Sequence, residues 1–221
     1  MDMDRAQHAL LTDLANLART LGSPQRLLLL QHAAQGARPV ERLAELSGLS
    51  VANASQHLQH LKRSSLVVAE RKGKQVLYSL AGGPITDVLG ALTRLAQHQR
   101  SEIRSVISAS LTQPDDLEGI SLDELLERLR DSSVILLDVR PPEEFAMGHL
   151  PGAINVPVEG LEDHLPLLAR DREIIAYCRG PHCVLSTSAV DIMRKEGIRA
   201  RQLNAGFPEW KAAGHTVVTG A

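Results

Sequence analysis

Two cysteines at the ends of a short segment are the strongest candidates for chemistry in this chain. Cys178 directly follows the apolar run Ile174-Ile175-Ala176-Tyr177, and the segment Cys178-Arg179-Gly180-Pro181-His182-Cys183 precedes a helical pattern. In α/β folds, functional sites lie at the C-terminal ends of parallel strands. Loop amides, the start of the next helix and Arg179 each favour thiolate over thiol at Cys178. The pattern therefore predicts a reactive Cys178, with a buried structural cysteine as the alternative interpretation.

A second candidate site is a polar face of a predicted helix in the first half of the chain. Amide and hydroxyl side chains can hydrogen-bond to base edges, whereas lysine and arginine suit phosphates. The candidate DNA-binding residues are Asn53, Ser55, Gln56, His57, Gln59, His60, Lys62 and Arg63 on the helix, with Arg71, Lys72 and Lys74 at a hairpin tip. His57 and His60 lie three residues apart and form a possible metal pair, but contact with DNA is the preferred interpretation.

Length and charge are consistent with two modules that have different partners. The chain has 221 residues, of which 43 % are hydrophobic and 23 % are charged, which is typical of folded domains. The net charge of −2 divides into +5 over residues 1–114 and −7 over residues 115–221. No apolar run approaches the ~18 residues of a membrane span, and the acidic start is not a signal peptide. We therefore expect a cytoplasmic protein with no membrane partner.

Four helices and a hairpin are predicted to position the polar face. Ser23 can cap a helix that begins at Pro24, and Ser50 can cap the helix that carries the candidate DNA-binding residues. The tight turn Ser47-Gly48-Leu49 between two short helices is typical of a helix-turn-helix. The four predicted helices lie near residues 5–21, from Pro24 to near Gly36, over Val40 to Leu46, and from Val51 onward. In the fourth helix the buried stripe is predicted to comprise Val51, Ala54, Leu58 and Leu61. Two strands, Leu66–Ala69 and Val76–Leu80, are predicted to follow, with a turn at Glu70–Gln75 between them.

This region resembles the winged helix-turn-helix repressors of the ArsR/SmtB family over roughly residues 5–98. The resemblance rests on Leu21-Gly22-Ser23-Pro24-Gln25-Arg26, on Leu49-Ser50, on Ala54 through Leu61 and on Val76-Leu77-Tyr78-Ser79-Leu80. It implies a homodimer that reads a palindromic operator in double-stranded DNA through paired recognition helices. Many members bind metal or arsenite through cysteines in the third helix, but the first 177 residues here contain no cysteine. Thiol-based sensing inside this domain is therefore excluded.

A long amphipathic helix is predicted between the modules. Its apolar stripe comprises Ile85, Val88, Leu92, Leu95, Ile103, Val106 and Ile107. Such a stripe is usually buried against a partner, so we expect it to close a dimer, as the family resemblance also implies. The segment Gln113-Pro114-Asp115-Asp116 should break this helix. The predicted organisation is a DNA-binding domain over residues 1–98, a dimerisation and linker helix over residues 84–114 that overlaps its end, and a second domain over residues 115–221.

Strand and helix patterns alternate in the second half. Ser121 and Glu124 form a capping-box pattern before a helix, and Val134-Ile135-Leu136-Leu137 is typical of a buried parallel strand. Further strands are predicted at residues 153–156, at residues 173–177 and near residues 200–203. The predicted fold class is a mainly α winged helix-turn-helix domain followed by a small three-layer α/β domain with a parallel sheet.

This half resembles a rhodanese domain over roughly residues 117–218. The matching segments are Leu137-Asp138-Val139-Arg140 with Glu144-Phe145, Gly148 through Asn155, the loop opening at Cys178, and Gly206-Phe207-Pro208-Glu209-Trp210. The resemblance implies a cysteine that takes sulfane sulfur from a donor as a persulfide and passes it to a thiophilic acceptor. Asp138 and Arg140 are expected to hold the fold together. The related seven-residue phosphatase and arsenate-reductase loop would place arginine where Val184 stands, which disfavours phosphate or arsenate chemistry.

Cys183 is not required by the rhodanese pattern, and three interpretations stay open. It could resolve a persulfide on Cys178 into a disulfide or polysulfide bridge, it could bind arsenite or another soft ion together with Cys178, or it could be a small packing residue. His182 is a candidate zinc ligand, but the cluster lacks a fourth ligand. We therefore expect no metal site and no cofactor.

These observations favour a dimeric DNA-binding transcriptional regulator, with repression as the expected direction. Its rhodanese domain is expected to sense sulfane sulfur or redox state through Cys178. Arg179, Gly180, Pro181, His182 and Cys183 complete the candidate reactive loop. The alternatives are a rhodanese-type sulfurtransferase with an autoregulatory DNA-binding module, and an arsenite-responsive regulator that uses Cys178 and Cys183.

Overall fold

Contacts within the chain separate two units, Met1–Ile85 and Thr86–Ala221, which are described one at a time. The structure, a computed structural model, describes residues 2–99, 119–168, 170–180 and 183–220. The predictions that concern residues 100–118, Pro181 and His182 lie outside the described residues.

The first unit is a helical bundle with a three-stranded antiparallel sheet. Its elements are α1 (Asp2–Leu21), α2 (Pro24–Ala34), β1 (Arg38–Pro39), α3 (Val40–Leu46), α4 (Val51–Arg63), β2 (Val67–Lys72) and β3 (Gln75–Leu80), and α5 (Ile85–Gln99) follows. Ser23 Oγ accepts the amide of Arg26, and Ser50 Oγ accepts the amide of Asn53. These caps confirm the predicted starts of α2 and α4.

Leucines from α2, α3 and α4 form the core of this unit. Leu29, Leu43 and Leu58 are fully buried there. The prediction that Val51 is buried is wrong, since its side chain is 47 % exposed. Val51 is the first residue of α4, and the buried stripe begins one turn later, at Ala54.

The hairpin after α4 is longer than the sequence predicts. β2 and β3 pair from Val67–Leu80 out to Lys72–Gln75, so the predicted turn over Glu70–Gln75 is wrong and the turn itself contains only two residues. The first of them, Gly73, has a φ of 61°, which a two-residue hairpin turn commonly requires. The strands are longer than predicted because backbone pairing continues through exposed polar residues. The sequence of those residues shows no alternation of apolar side chains, so it does not indicate a strand.

The second unit contains a four-stranded parallel sheet with helices on both faces. Its elements are α6 (Leu122–Arg130), β4 (Val134–Asp138), α7 (Pro142–Met147), β5 (Ile154–Asn155), α8 (Leu161–His164), β6 (Glu173–Tyr177), α9 (Val184–Lys195), β7 (Ala200–Gln202) and α10 (Phe207–Ala212). The strand order is β5-β4-β6-β7, and the three strand pairs are parallel.

Alternate residues of β4 enter separate clusters on the two faces of this sheet. Leu137 packs in a cluster with Met193 of α9, whereas Leu136 packs in a cluster with Leu125 of α6 and Trp210 of α10. This alternation follows from the two-residue period of a strand. The three-layer α/β architecture predicted for the second half is confirmed.

Candidate functional site

The base of the cysteine loop is held by the start of α10. Cys178 follows β6 directly and is fully buried, and its carbonyl accepts the amide of Phe207 at 3.1 Å. A Cβ added to Gly206 would lie 2.6 Å from the Cys178 carbonyl oxygen, which is closer than real contacts allow. Only glycine lets this backbone pass so near the loop.

The two cysteines of the loop are brought together and joined as a disulfide. The Cα atoms of Cys178 and Cys183 are 6.1 Å apart, within the usual range for a disulfide. Cys183 lies directly before α9, and its amide donates to the carbonyl of Gly180 at 3.1 Å. The strand-end cysteine and the helix-start cysteine therefore reach each other across one tight loop.

Arg179 is engaged by a buried carboxylate from α7. Its Nε and Nη2 atoms donate to both oxygens of Glu144 at 2.9 to 3.1 Å, and the Glu144 side chain is only 2 % exposed. This bidentate pair offsets the positive charge that the sequence analysis assigned to thiolate stabilisation. Cys183, the disulfide partner of Cys178, stands at the N-terminus of α9.

Glu144 was recognised from the sequence only as part of a family motif. Glutamate is rarely buried, so its residue type alone predicts a solvated side chain on the first turn of α7. Its pairing with Arg179 depends on the three-dimensional approach of α7 to the loop after β6. No local sequence signal indicates that approach.

Asp138 and Arg140 form a second ion pair, fully buried beside the loop. Arg140 Nη2 donates to Asp138 Oδ2 at 2.6 Å and to the carbonyl of Gly148 at 2.8 Å. The Arg140 guanidinium also lies 4.5 Å from the ring centroid of Phe207. These contacts tie the end of β4 to two neighbouring segments, in agreement with the structural role expected for the pair.

A further carboxyl group, that of Glu209, lies beside the loop. Glu209 Oε2 accepts the amide of Gly206 at 2.8 Å, and a Cβ added to Gly180 would lie 3.7 Å from Glu209 Oε1. Burial raises the pKa of Glu209 above its ordinary value, and the Gly206 amide opposes this rise. From its sequence, Glu209 is recognised only as part of the segment Gly206-Phe207-Pro208-Glu209-Trp210 and not as a site residue.

The predicted DNA-binding face of α4 is solvent-accessible. Among its eight residues, Ser55 and His57 are half-buried and the other six are exposed. Gln59 is partly engaged, because its Nε2 donates to the Tyr78 hydroxyl of β3 at 3.2 Å. A shallow concavity of about 480 Å³ runs along this face.

Arg26 is a cationic residue of this concavity that the sequence analysis did not assign to it. It lies in the first turn of α2 and lines the concavity with His57, His60 and Arg63 of α4. The guanidinium donates to the carbonyl of Arg19 at 2.9 Å and also to that of Thr20. These bonds orient the Arg26 side chain beside α4.

The hairpin places its cations at an exposed tip. Arg71 and Lys72 end β2, and Lys74 lies in the turn. Arg71 Nε donates to the carbonyl of Gly73 at 3.3 Å, which keeps this side chain at the tip. Within the described ranges, no three His, Cys, Asp or Glu side chains are grouped as a metal site, and no helix there is long and apolar enough to cross a membrane.

Comparisons with known proteins agree with both halves of this description. The family model of the rhodanese-like domain matches residues 121–213. The HTH-type transcriptional regulator Rv0324 of Mycobacterium tuberculosis is 39 % identical over 213 residues, which cover 96 % of this chain and 93 % of that protein. A sulfurtransferase of Allochromatium vinosum is 30 % identical over 101 residues, covering 45 % of this chain and 92 % of the relative.

A solved structure also resembles part of the chain. The homodimeric winged helix-turn-helix DNA-binding domain Mb0332 of Mycobacterium bovis is 34 % identical, with coverage of 43 % of this chain and 88 % of that chain and a TM-score of 0.39.

The class of protein is a DNA-binding transcriptional regulator in which a winged helix-turn-helix precedes a rhodanese-like domain. The chain belongs to the family of HTH-type transcriptional regulators that Rv0324 represents, since the match extends over nearly the whole of both proteins. The resemblance of the first half to ArsR/SmtB regulators and of the second half to rhodaneses is confirmed.

Proposed function

We propose that this regulator is a homodimeric repressor whose rhodanese-like domain senses sulfane sulfur through Cys178, with Cys183 as the resolving thiol. The observation that carries the proposal is the closure of the loop between the two cysteines, whose Cα atoms lie 6.1 Å apart. A single nucleophilic cysteine suffices to carry a persulfide, so the second thiol supplies a way to convert that persulfide into a stable signal.

The chemistry takes two balanced steps. The Cys178 thiolate attacks the sulfane sulfur of a donor such as thiosulfate, forming a Cys178 persulfide and releasing sulfite. The Cys183 thiol then attacks Cys178 Sγ, forming the disulfide and releasing hydrosulfide, which carries away the outer sulfur and the negative charge. The N-terminus of α9 favours the Cys178 thiolate that begins the first step, and the proton of the Cys183 thiol leaves with the hydrosulfide in the second.

The proposed dimer is supported by apolar side chains that a single chain leaves exposed. On α1, Leu10 and Leu14 are 59 % and 52 % exposed, and on α5, Leu92 and Leu95 are 41 % and 52 % exposed. Contiguous exposed stripes of this kind mark protein interfaces. A second copy that buried them would give two recognition helices, which suits a palindromic operator.

DNA contact is proposed through the predicted residues of α4 and the hairpin tip. Gln56 and Asn53 are exposed and suited to base edges, whereas Lys72 and Lys74 are suited to phosphates.

Modification of Cys178 must change operator affinity if the protein is a sensor. A tenfold response needs about 1.4 kcal/mol of coupling, which is within the usual allosteric range.

The test measures sulfur modification and operator affinity on one sample. The reduced full-length protein is treated with thiosulfate or a polysulfide, and mass spectrometry of Cys178 is paired with an operator-binding titration. Persulfide or disulfide formation with a tenfold change in affinity supports the sensor. Modification without any change in affinity contradicts it. Arsenite in place of the donor is the control, since release by arsenite without persulfide would assign a metalloid sensor.

A second candidate function is sulfurtransferase catalysis, which the similarity to the Allochromatium vinosum sulfurtransferase favours. An enzyme must turn over many equivalents of donor per Cys178 in the presence of a thiol or cyanide acceptor. A sensor instead completes about one modification per site. The number of sulfite molecules released per chain therefore separates the two functions.

A further inference from the structure

A buried glutamine faces the start of the helix that Cys183 precedes. Gln202 is the last residue of β7, the edge strand next to β6, and is only 8 % exposed. An apolar side chain of the same size would fill this position without the cost of desolvating an amide. The hydrogen-bond partners of Gln202 therefore indicate what its polarity does.

The side-chain amide of Gln202 is hydrogen-bonded, through both its nitrogen and its oxygen, to hydroxyl groups in the first turns of α9. Nε2 donates to Ser186 Oγ at 3.0 Å, and Oε1 accepts from Thr187 Oγ at 3.2 Å. Ser186 Oγ in turn donates to the carbonyl oxygen of Cys183 at 3.0 Å. Because a hydroxyl has one proton, Ser186 accepts from Gln202 Nε2 when it donates to Cys183. Thr187 Oγ also lies within hydrogen-bond distance of the Cys183 carbonyl oxygen, at 3.4 Å.

This chain of hydrogen bonds ends on the backbone of Cys183. The Cys183 carbonyl accepts from Ser186 Oγ at 3.0 Å and from Thr187 Oγ at 3.4 Å, and the Cys183 amide donates to the Gly180 carbonyl at 3.1 Å. The backbone amide and carbonyl of Cys183 are thus both hydrogen-bonded. The side chain makes no capping hydrogen bond to α9, and its sulfur is bonded to Cys178 instead.

We propose that Gln202 is a positioning residue that acts through Ser186 to keep the Cys183 thiol within reach of Cys178. The inference rests on the proposed resolving role of Cys183 and names the residues that make it efficient. A thiol held in position has a higher effective concentration at its partner sulfur than a mobile one. Gln202 therefore favours formation of the disulfide through its hydrogen bonds to hydroxyl groups of α9 rather than through contact with the sulfur.

The test is the disulfide equilibrium of the full-length chain in glutathione buffers. Dithiol protein and oxidised glutathione exchange with protein disulfide and two reduced glutathione molecules, so the ratio gives an equilibrium constant directly. Gln202→Met keeps the length of the side chain and removes its hydrogen bonds to Ser186 and Thr187, and Ser186→Ala removes the bond between Gln202 and Ser186 from the other side. Each is expected to lower the constant about tenfold, the upper end for one lost hydrogen bond.

The double variant and a matched control make the test specific. Gln202→Met combined with Ser186→Ala is expected to lower the constant by less than the product of the two single effects, because both changes remove the hydrogen bond between Gln202 and Ser186. Ser188→Ala removes a half-buried hydroxyl from the same helix, outside this chain, and is expected to leave the constant within twofold.

Constants within twofold of the wild type in both single variants overturn the proposal, and so does a fully additive loss in the double variant. Urea unfolding followed by Trp210 fluorescence shows whether each variant is folded. If Gln202→Met does not fold, the result for Ser186→Ala alone decides the proposal. The equilibrium needs no sulfur donor. A chain that closes this disulfide but forms no persulfide therefore contradicts the proposed sulfur sensing and leaves the positioning role standing.

Discussion

Removal of the Arg179 guanidinium tests whether the cysteine loop is held by its ion pair with Glu144. The pair is bidentate, and the Glu144 side chain is 2 % exposed while that of Arg179 is 18 % exposed. Loss of one partner of a buried ion pair costs about 3–5 kcal/mol, because a charge remains away from water. Since Arg179 is partly solvated, we expect Arg179→Ala to lower the free energy of unfolding by about 3 kcal/mol, the lower end of that range.

The assay is urea unfolding followed by the fluorescence of Trp210. This is the chain's single tryptophan, it is buried in the rhodanese-like domain, and its signal therefore reports on that domain alone. With a urea dependence of about 1.5 kcal/mol per molar, a loss of about 3 kcal/mol lowers the midpoint by about 2 M. Lys195→Ala is the matched control, since its salt bridge to Asp191 in the same domain is largely exposed.

The control is expected to cost less than about 1 kcal/mol, as exposed ion pairs usually do. Adding Glu144→Gln to Arg179→Ala removes the buried charge and should recover part of the loss. Equal midpoints for Arg179→Ala and Lys195→Ala would refute the reasoning, because the pair would then contribute no more than a surface contact.

Three further predictions concern the DNA face, the dimer and pH. Gln56→Ala should weaken operator binding by about 1–3 kcal/mol and leave binding to unrelated DNA unchanged, and equal effects on both would contradict base recognition. Joint replacement of Leu92 and Leu95 by Asp should give monomers by light scattering, and a wild-type chain that is monomeric at micromolar concentration would contradict the dimer. Burial raises the pKa of Glu209 above 4.5, so the folded domain holds this proton more tightly than the unfolded chain does. Stability should therefore fall as pH rises from 4.5 through the raised pKa, and Glu209→Gln should remove that fall, as urea midpoints measured across this pH range will show.

Elements with strong local signals could be predicted from the sequence. Ser23 and Ser50 stand before α2 and α4 and cap them as expected, because a cap depends on residues within one turn. The strand β6 runs over Glu173–Tyr177, as its apolar run indicates, and this places Cys178 at a strand end. The predicted position of Cys178 directly after a strand is therefore confirmed.

Features that depend on distant partners could not be predicted. β1 has two residues, too few for any periodic pattern, and forms only because Arg38 pairs with Tyr78 of β3. The engagement of Arg179 by Glu144 joins residues 35 positions apart, and neither residue type indicates it. The bond from Gln202 to Ser186 likewise arises from the packing of β7 against α9. In each case the tertiary contact decides the role of the residue.

The central claim is that sulfur chemistry at Cys178 controls DNA binding. The direct measurement is operator affinity before and after treatment with a sulfane donor, in the wild type, Cys178→Ser and Cys183→Ser, with the mass of each loop peptide determined on the same samples. We predict a change of about tenfold in the wild type, equivalent to about 1.4 kcal/mol. Cys178→Ser should show neither modification nor response, and Cys183→Ser should accumulate the Cys178 persulfide. A wild-type protein that is fully modified at Cys178 yet binds its operator with unchanged affinity would contradict the account.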